Sequence, residues 1–130
     1  MLKVENLSVQ IKNINILDSV SFKVSKFSSI IGRNGAGKTT LIRAIMSILP
    51  AQKGNISFNN NFLTDTKPYN MTKMGIGYMP EDRRLIPDLT VEDNILIPLW
   101  SLKSYNQNDE LERILTFIPE VKVFLSRGAY

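Results

Sequence analysis

The chain has 130 residues, of which 43% are apolar and 22% charged, and its formal net charge is +4 at pH 7. This length and apolar content fit one globular domain, while the absence of cysteine excludes disulfides and thiolate metal sites. The basic residues are scattered, so we expect a solvated surface and no nucleic-acid partner.

The sequence also argues against a membrane-spanning helix, a secretory signal and histidine-based catalysis. No apolar stretch approaches the roughly 18 residues of a membrane-spanning helix, and the start, Met1–Asn6, lacks the basic segment and apolar run of a secretory signal. Histidine is absent as well, so acid and base chemistry must fall to carboxylates.

The first 31 residues predict three strands. Apolar and polar residues alternate over Leu2–Gln10 and Ile16–Val24, which the polar pair Lys12-Asn13 separates, and this pattern indicates two antiparallel strands. A short apolar run, Phe27–Ile31, then leads into Gly32. Such a run is typical of a buried parallel strand.

Residues 32 to 39 match the phosphate-binding pattern G-x-x-x-x-G-K-[ST] at every defined position. They read Gly32, Arg33, Asn34, Gly35, Ala36, Gly37, Lys38 and Thr39. Small residues let backbone N–H groups turn inward around phosphate oxygens, while Lys38 reaches the outer phosphates and the Thr39 hydroxyl can ligate Mg²⁺. The pattern therefore predicts a site for a nucleoside triphosphate with Mg²⁺.

A helix is predicted directly after this loop. Apolar residues recur at helical spacing until Pro50 stops them, so we expect the helix to run from Lys38 to Leu49. Its positive end and its unpaired N–H groups would then face the phosphates. The alternative is a glycine-rich strand-to-helix turn that carries the Lys-Thr pair by accident.

The second half predicts a small hairpin, one more core strand and two helices. The hairpin pairs Asn55–Phe58 with Phe62–Leu63, and the apolar run Ile76–Met79 ends at Pro80 as a core strand would.

Both helices in this half carry start signals. Thr90 followed by Asp93 resembles a capping box and predicts a helix over Val91–Leu99. Apolar residues at i, i+3, i+4 and i+7, from Leu111 to Ile118, predict the last helix. Asn108 is its expected cap, Asp109 and Glu110 lie in its first turn, and Pro119 ends it.

Two blocks of this sequence resemble ABC-type ATPase subunits. The first is Ile30–Leu41, followed by Gly54–Phe58; the second, Gly75–Asn94, resembles the branched-chain amino acid importer branch of that family. The resemblance covers nearly the whole chain. It implies an α/β fold, with an incomplete P-loop NTPase core and an N-terminal antiparallel β subdomain.

The resemblance also implies a function. Such subunits are cytoplasmic, lie peripherally on the inner face of the cell membrane, dimerise around two Mg-ATP molecules and drive a membrane permease, here for branched-chain or related amino acids. The same loop would also serve a soluble ABC-type ATPase that is not coupled to transport, a small-molecule phosphotransferase or a non-hydrolysing nucleotide sensor.

Individual residues take their expected roles from the same resemblance. Thr40 would lie near the α-phosphate, and Lys38 would stabilise the γ-phosphate. Glu81 stands where the family usually carries a Gln that contacts Mg²⁺ and the attacking water, and a carboxylate there can still ligate a hard cation. Ile11 stands where an aromatic residue stacks on adenine, so an aliphatic contact replaces stacking. The region Glu81–Leu89 would contact the permease.

Three motifs of the family do not occur in these 130 residues: the signature Leu-Ser-Gly-Gly-Gln, the Walker B strand that ends in Asp-Glu, and the switch His. Leu125–Gly128 echoes the signature, but Arg127 would prevent the close backbone approach that glycine permits. We therefore expect residues 1–130 to be the N-terminal part of a single ATPase domain, truncated just before the signature, with Arg127–Tyr130 as its last segment. Such a chain would bind nucleotide with little or no turnover, because the general base is missing.

Overall fold

The computed structural model describes residues 1–82, 84–100 and 106–129. They form two compact units, Met1–Met71 and Thr72–Tyr130. The predictions that involve Arg83, within the expected permease contact, and Tyr130, at the end of the expected pre-signature segment, lie outside the described residues.

The first unit is built on a four-stranded antiparallel sheet in the order β2-β1-β3-β4. Its strands are β1 (Leu2–Ile11), β2 (Ile14–Val24), β3 (Lys53–Phe58) and β4 (Asn61–Phe62). The two predicted N-terminal strands are confirmed, and both extend as far as the turn between them. That turn is Lys12-Asn13, and both of its residues have positive φ, 48° and 65°. Positive φ at both positions is the geometry that matches the twist of a two-residue hairpin.

The predicted second hairpin is confirmed as β3 and β4, and it begins earlier than expected, at Lys53. Its Gly54 has φ of +91°, and a Cβ atom there would lie 2.4 Å from the carbonyl oxygen of Asn6. Only glycine permits this approach. The contact lies where β1 and β3 change register, between Glu5 and Ser8.

Helix α1 (Lys38–Ile45) contacts β2 and buries its apolar side. The core of the unit contains aliphatic residues from the sheet, from α1 and from the segments that follow them: Val4, Leu7, Val9, Leu17, Leu41, Ala44, Ile45, Met46, Ile56, Leu63 and Met71. The helix that follows the phosphate loop is therefore held in place by burial of one face.

The prediction that this helix reaches Leu49 is wrong, because α1 ends at Ile45. Ser47 adopts φ of 52°, its N–H donates to Ala44 O at 2.9 Å, and the N–H of Ile48 donates to Arg43 O at 2.9 Å. These bonds form a Schellman motif, whose left-handed position is usually glycine. Because serine is not a typical residue for this position, the sequence pattern did not predict that the helix ends here.

Two predicted core strands are also wrong. Neither Phe27–Ile31 nor Ile76–Met79 forms a strand. Phe27 is fully exposed, and the exposed fractions of Ile31 and Met79 are 93% and 91%. A parallel strand needs a hydrogen-bonded neighbour that a crossover brings alongside it. Within the described residues, all paired strands are antiparallel and none of them pairs with either segment.

The second unit is helical, and its first α-helix follows the predicted capping box. Helix α2 (Val91–Leu96) starts after Thr90, whose Oγ1 accepts a hydrogen bond from the N–H of Asp93 at 3.1 Å. Asp93 Oδ2 in turn accepts from the N–H of Thr90 at 3.2 Å. The helix continues as a 3₁₀ turn over Ile97–Leu99, which completes the predicted span.

Helix α3 (Gln107–Phe117) confirms the last predicted helix but not its cap. The cap is Asn106 instead of Asn108, because Asn106 Oδ1 accepts a hydrogen bond from the N–H of Asn108 at 3.1 Å. Leu96, Leu111 and Leu115 form the core between α2 and α3. None of the helices in the described part of the chain combines the length and the apolar character needed to cross a membrane.

Candidate nucleotide-binding site

The predicted phosphate loop leads directly into α1. The helix begins at Lys38, and Gly37 at its N-cap has φ of 87° and makes no side-chain capping bond. The first N–H groups of a helix have no partner within the helix. With no capping side chain in front of them, they remain available to an anion at the positive end of the helix dipole.

Gly37 also fixes where the loop lies. A Cβ atom at this position would lie 2.9 Å from Leu17 Cδ2 and 3.3 Å from Ile16 O, so the backbone of the loop packs directly on β2. A register shift makes Ile16 the extra residue of β2, since Val9 pairs with Leu17 and Gln10 pairs with Asn15. This contact attaches the loop to the sheet, and the loop pattern alone does not reveal it.

Lys38 closes the loop on itself. Its Nζ donates to the carbonyl oxygens of Gly32 at 2.7 Å and Arg33 at 2.8 Å, at the start of the loop. Arg33 O also accepts from the N–H of Ala36 at 3.1 Å. The ammonium has three donors, so one remains for a phosphate oxygen after these two bonds. The loop is therefore held in a closed turn by its own residues, with a positive charge at its centre.

The two threonines follow in the first turn of α1, where Thr39 is exposed and Thr40 half-buried. Among the described residues there is no group of three or more Asp, Glu, His or Cys side chains that could hold a metal ion. Magnesium commonly uses few protein ligands together with substrate phosphates. The metal role of the Thr39 hydroxyl stays a prediction from the loop pattern.

Ile11 belongs to the same unit as the loop and lies at the tip of the first hairpin. It pairs with Ile14 across the turn, and the exposed fractions of the two side chains are 37% and 64%. Ile14 therefore lies beside Ile11, although the sequence pattern singled out Ile11 alone.

Glu81 lies in the second unit, at an exposed turn that follows Pro80. Nearby, Arg84 pairs with Asp82 at 2.8 Å. The hydrogen bond that Arg84 Nε donates to Asp82, together with the negative charge of that carboxylate, raises the pKa of Arg84 above its ordinary value. The metal role of Glu81 stays a prediction from the family resemblance.

Known proteins that resemble this chain share the region that contains the phosphate loop. Residues 17–127 match the family model of ABC transporters. The chain is 30% identical to the probable branched-chain amino acid transport ATP-binding protein LivF of Archaeoglobus fulgidus, over 99% of this chain and 56% of that protein. It is 31% identical to the phosphonates import ATP-binding protein PhnC of Fusobacterium nucleatum, over 100% of this chain and 56% of that protein. The chain thus spans little more than half the length of these relatives.

Solved structures of ABC transporter ATP-binding subunits have a fold similar to that of this chain. An ATP-binding subunit of an ABC transporter superposes with a TM-score of 0.84 at 29% identity, over 98% of this chain and 54% of that chain. An ATP-binding cassette in its ADP conformation superposes with a TM-score of 0.75 at 31% identity, over 99% of this chain and 57% of that chain. These likenesses confirm the predicted fold class, including the antiparallel sheet at its N-terminus.

Proposed function

This chain belongs to the ABC transporter family, and on that premise we propose that it binds Mg-ATP for an ATP-hydrolysing import subunit. The observation that carries the proposal is the closed phosphate loop, with Lys38 bonded to the carbonyls of Gly32 and Arg33 at the start of α1. Several relatives are named for different solutes. The proposal that the solute is a branched-chain or related amino acid is therefore supported only by the Gly75–Asn94 block and by the similarity to LivF.

The chemistry asked of this chain is positioning and charge neutralisation. Backbone N–H groups and the Lys38 ammonium surround the phosphates and favour the charge that develops on the γ-phosphoryl oxygens. Thr39 would hold Mg²⁺, which when bound offsets part of the phosphate charge, and Thr40 would lie near the α-phosphate. Glu81 would orient the attacking water or contact the metal, and Ile11 would contact the base.

We further propose that residues 1–130 are the N-terminal part of one ATPase domain. The segment Phe27–Ile31 borders an apolar cavity of about 710 Å³ that Leu2, Phe22, Leu41, Ile42 and Ile45 also line. A segment that forms a core strand exposes its apolar side chains when the residues that should pair with it and cover it are not beside it. We therefore propose that other residues of the domain cover Phe27–Ile31 and fill this cavity. The chain by itself would then bind nucleotide with little turnover, and a second ATPase subunit would complete the working dimer.

The proposed contact with the permease lies in Glu81–Leu89. Leu85, with an exposed fraction of 59%, lines a groove of about 580 Å³ together with Ile95 and Phe124. Asn94 holds the turn beside it, since its Oδ1 accepts from the N–H of Ile86 at 2.8 Å and its Nδ2 donates to Ile86 O at 3.1 Å. An apolar groove with a fixed wall suits an amphipathic helix. The subunit would then lie on the inner face of the cell membrane.

Crosslinking from Leu85 tests the permease contact. We expect crosslinks to membrane subunits. Crosslinks to soluble partners alone would favour the soluble ABC-type ATPase.

Nucleotide binding is tested by titrating Mg-ATP into the wild-type chain and into Lys38→Ala, with heat as the readout. We expect Lys38→Ala to lose at least about tenfold in affinity, since a charged hydrogen bond contributes roughly 1.5–3 kcal/mol. Lys67→Ala, which removes the same charge from the same unit outside the loop, is the control and should bind as the wild type does. Equal affinity of both variants would refute the site.

A further inference from the structure

We propose that Asn34 is a site of spontaneous deamidation, at which a neutral amide in the phosphate loop becomes a carboxylate and nucleotide binding is weakened. Asn34 is followed by Gly35, and this is the only Asn-Gly pair in the 130 residues. The modification itself is independent of the proposed function, whereas its effect on nucleotide binding rests on that function.

The reaction joins two neighbouring groups of the chain. The backbone nitrogen of Gly35 attacks Cγ of Asn34, so that a new N–Cγ bond forms and the Cγ–Nδ2 bond breaks. Ammonia leaves with the proton that the Gly35 nitrogen gives up. A water molecule then opens the cyclic imide: attack at Cγ gives aspartate, and attack at the backbone carbonyl gives isoaspartate. Water is the only co-reactant, and no group is oxidised or reduced.

The structure leaves both reacting groups accessible. Asn34 and Gly35 are exposed. In the part of the chain that the structure describes, no hydrogen bond holds the Asn34 amide, and the N–H of Gly35 donates to no acceptor. A Cβ atom at Gly35 would meet no atom within 4 Å. No neighbouring side chain therefore shields this end of the loop.

The turn that carries the pair lies at the open end of the loop. The N–H of Ala36 donates to Arg33 O at 3.1 Å across the turn, and both residues are exposed. Exposed contacts of this kind open locally at low cost. Attack on Cγ needs rotation of the Asn34 backbone, which a glycine neighbour favours because it has the widest choice of φ and ψ. Gly37, by contrast, packs on β2 and stays fixed.

The product places a negative charge where phosphates would bind. The inward N–H groups of the loop and the Lys38 ammonium attract an anion, whereas an ionised carboxylate at position 34 would repel it. Isoaspartate also adds a methylene carbon to the main chain of the loop. Bound Mg-ATP should protect Asn34, because the phosphates would engage the loop N–H groups and hold the turn closed.

Peptide mapping of the 130-residue chain, incubated at mildly alkaline pH without nucleotide, tests the modification. Trypsin cleaves after Arg33 and Lys38, so Asn34 is the only asparagine in its peptide. Asn60 is the matched control, since it is exposed in a turn but is followed by asparagine. Relative to a digest made before incubation, we expect Asn34 to convert several-fold faster than Asn60. Conversion of Asn34 no faster than that of Asn60 would overturn the inference and leave the proposed function standing.

Calorimetric titration with Mg-ATP then tests the consequence. The converted wild-type chain should bind at least about tenfold more weakly than the fresh chain, and Asn34→Asp should show a similar loss. Asn34→Gln, whose longer side chain cyclises less readily, should keep after incubation the affinity that it has when fresh. Equal affinity of the fresh and the converted wild-type chain would overturn the predicted effect on binding. If the fresh chain binds no Mg-ATP, the proposed function fails, while the peptide map still decides whether Asn34 is modified.

Incubation with saturating Mg-ATP tests the protection. The nucleotide should slow the conversion of Asn34 and leave that of Asn60 unchanged. Conversion of Asn34 at the same rate with and without bound Mg-ATP would contradict the claim that the phosphates hold this turn.

Discussion

The phosphate loop and the segment before it adjoin in the sequence but differ in the structure. Residues 32–39 form a closed turn with internal hydrogen bonds, whereas Phe27–Ile31 forms no strand and exposes its apolar side chains. The loop depends on groups close to it in the chain, on the start of α1 and on one contact with β2. A parallel strand depends on neighbours that distant residues must supply. Interactions between residues close in the chain are therefore enough to form the loop, but they are not enough to form the strand.

Of the loop, the capping box and the segment before the loop, the loop should show the largest effect, at the point where it meets the sheet. Gly37→Ala should lower the free energy of unfolding by about 2 to 4 kcal/mol, because alanine is strained at φ of 87° and would contact Leu17 at 2.9 Å. Denaturant titration measures this loss.

Gly35→Ala is its matched control. Gly35 has φ of 81° but open space around it, so the loss should be only about 1 kcal/mol. Equal losses for the two variants would mean that the contact with β2 does not hold the loop.

A smaller effect is expected at the capping box of the second unit, where the determinants are also local. Thr90→Ala removes the acceptor for the N–H of Asp93 and should lower the free energy of unfolding by about 1 kcal/mol. Thr90→Ser keeps the hydroxyl and should behave nearly as the wild type. A loss of the same size in both variants would assign the effect to the methyl group of threonine and not to the cap.

The smallest effect is expected in the segment before the loop. Ile31→Lys should change the free energy of unfolding by less than about 0.5 kcal/mol, since the side chain is exposed. Ile45→Ala, at a buried position of α1, should cost about 2 to 5 kcal/mol. If Ile31→Lys destabilised the chain as strongly as Ile45→Ala, the segment would be part of the core and the contrast with the loop would disappear.

The sequence predicted well what short patterns determine. The loop, the two-residue turn at Lys12-Asn13 and the capping box at Thr90 each depend on a few adjacent residues, and all three are present. The predictions from sequence were wrong where an element depends on residues far away in the chain, or where a residue adopts a conformation unusual for its type. The segments 27–31 and 76–79 have no pairing partner among the described residues, and Ser47 ends α1 in a conformation that glycine normally adopts.

The sequence identified the candidate site only in part. The residues of the loop are legible from their pattern, but the contact of Gly37 with β2 and the pairing of Ile11 with Ile14 require the fold of the hairpin. Glu81 and the permease contact depend on family resemblance, so they stay predictions.

Backbone amide NMR during a titration with Mg-ATP tests the central claim most directly. We predict that the largest shift changes fall on the amides of residues 34–40, because N–H groups of the loop and of the first turn of α1 would bind the phosphates. In Lys38→Ala the same amides should respond only at much higher nucleotide concentration. Shift changes confined to residues outside 32–40 would contradict the account.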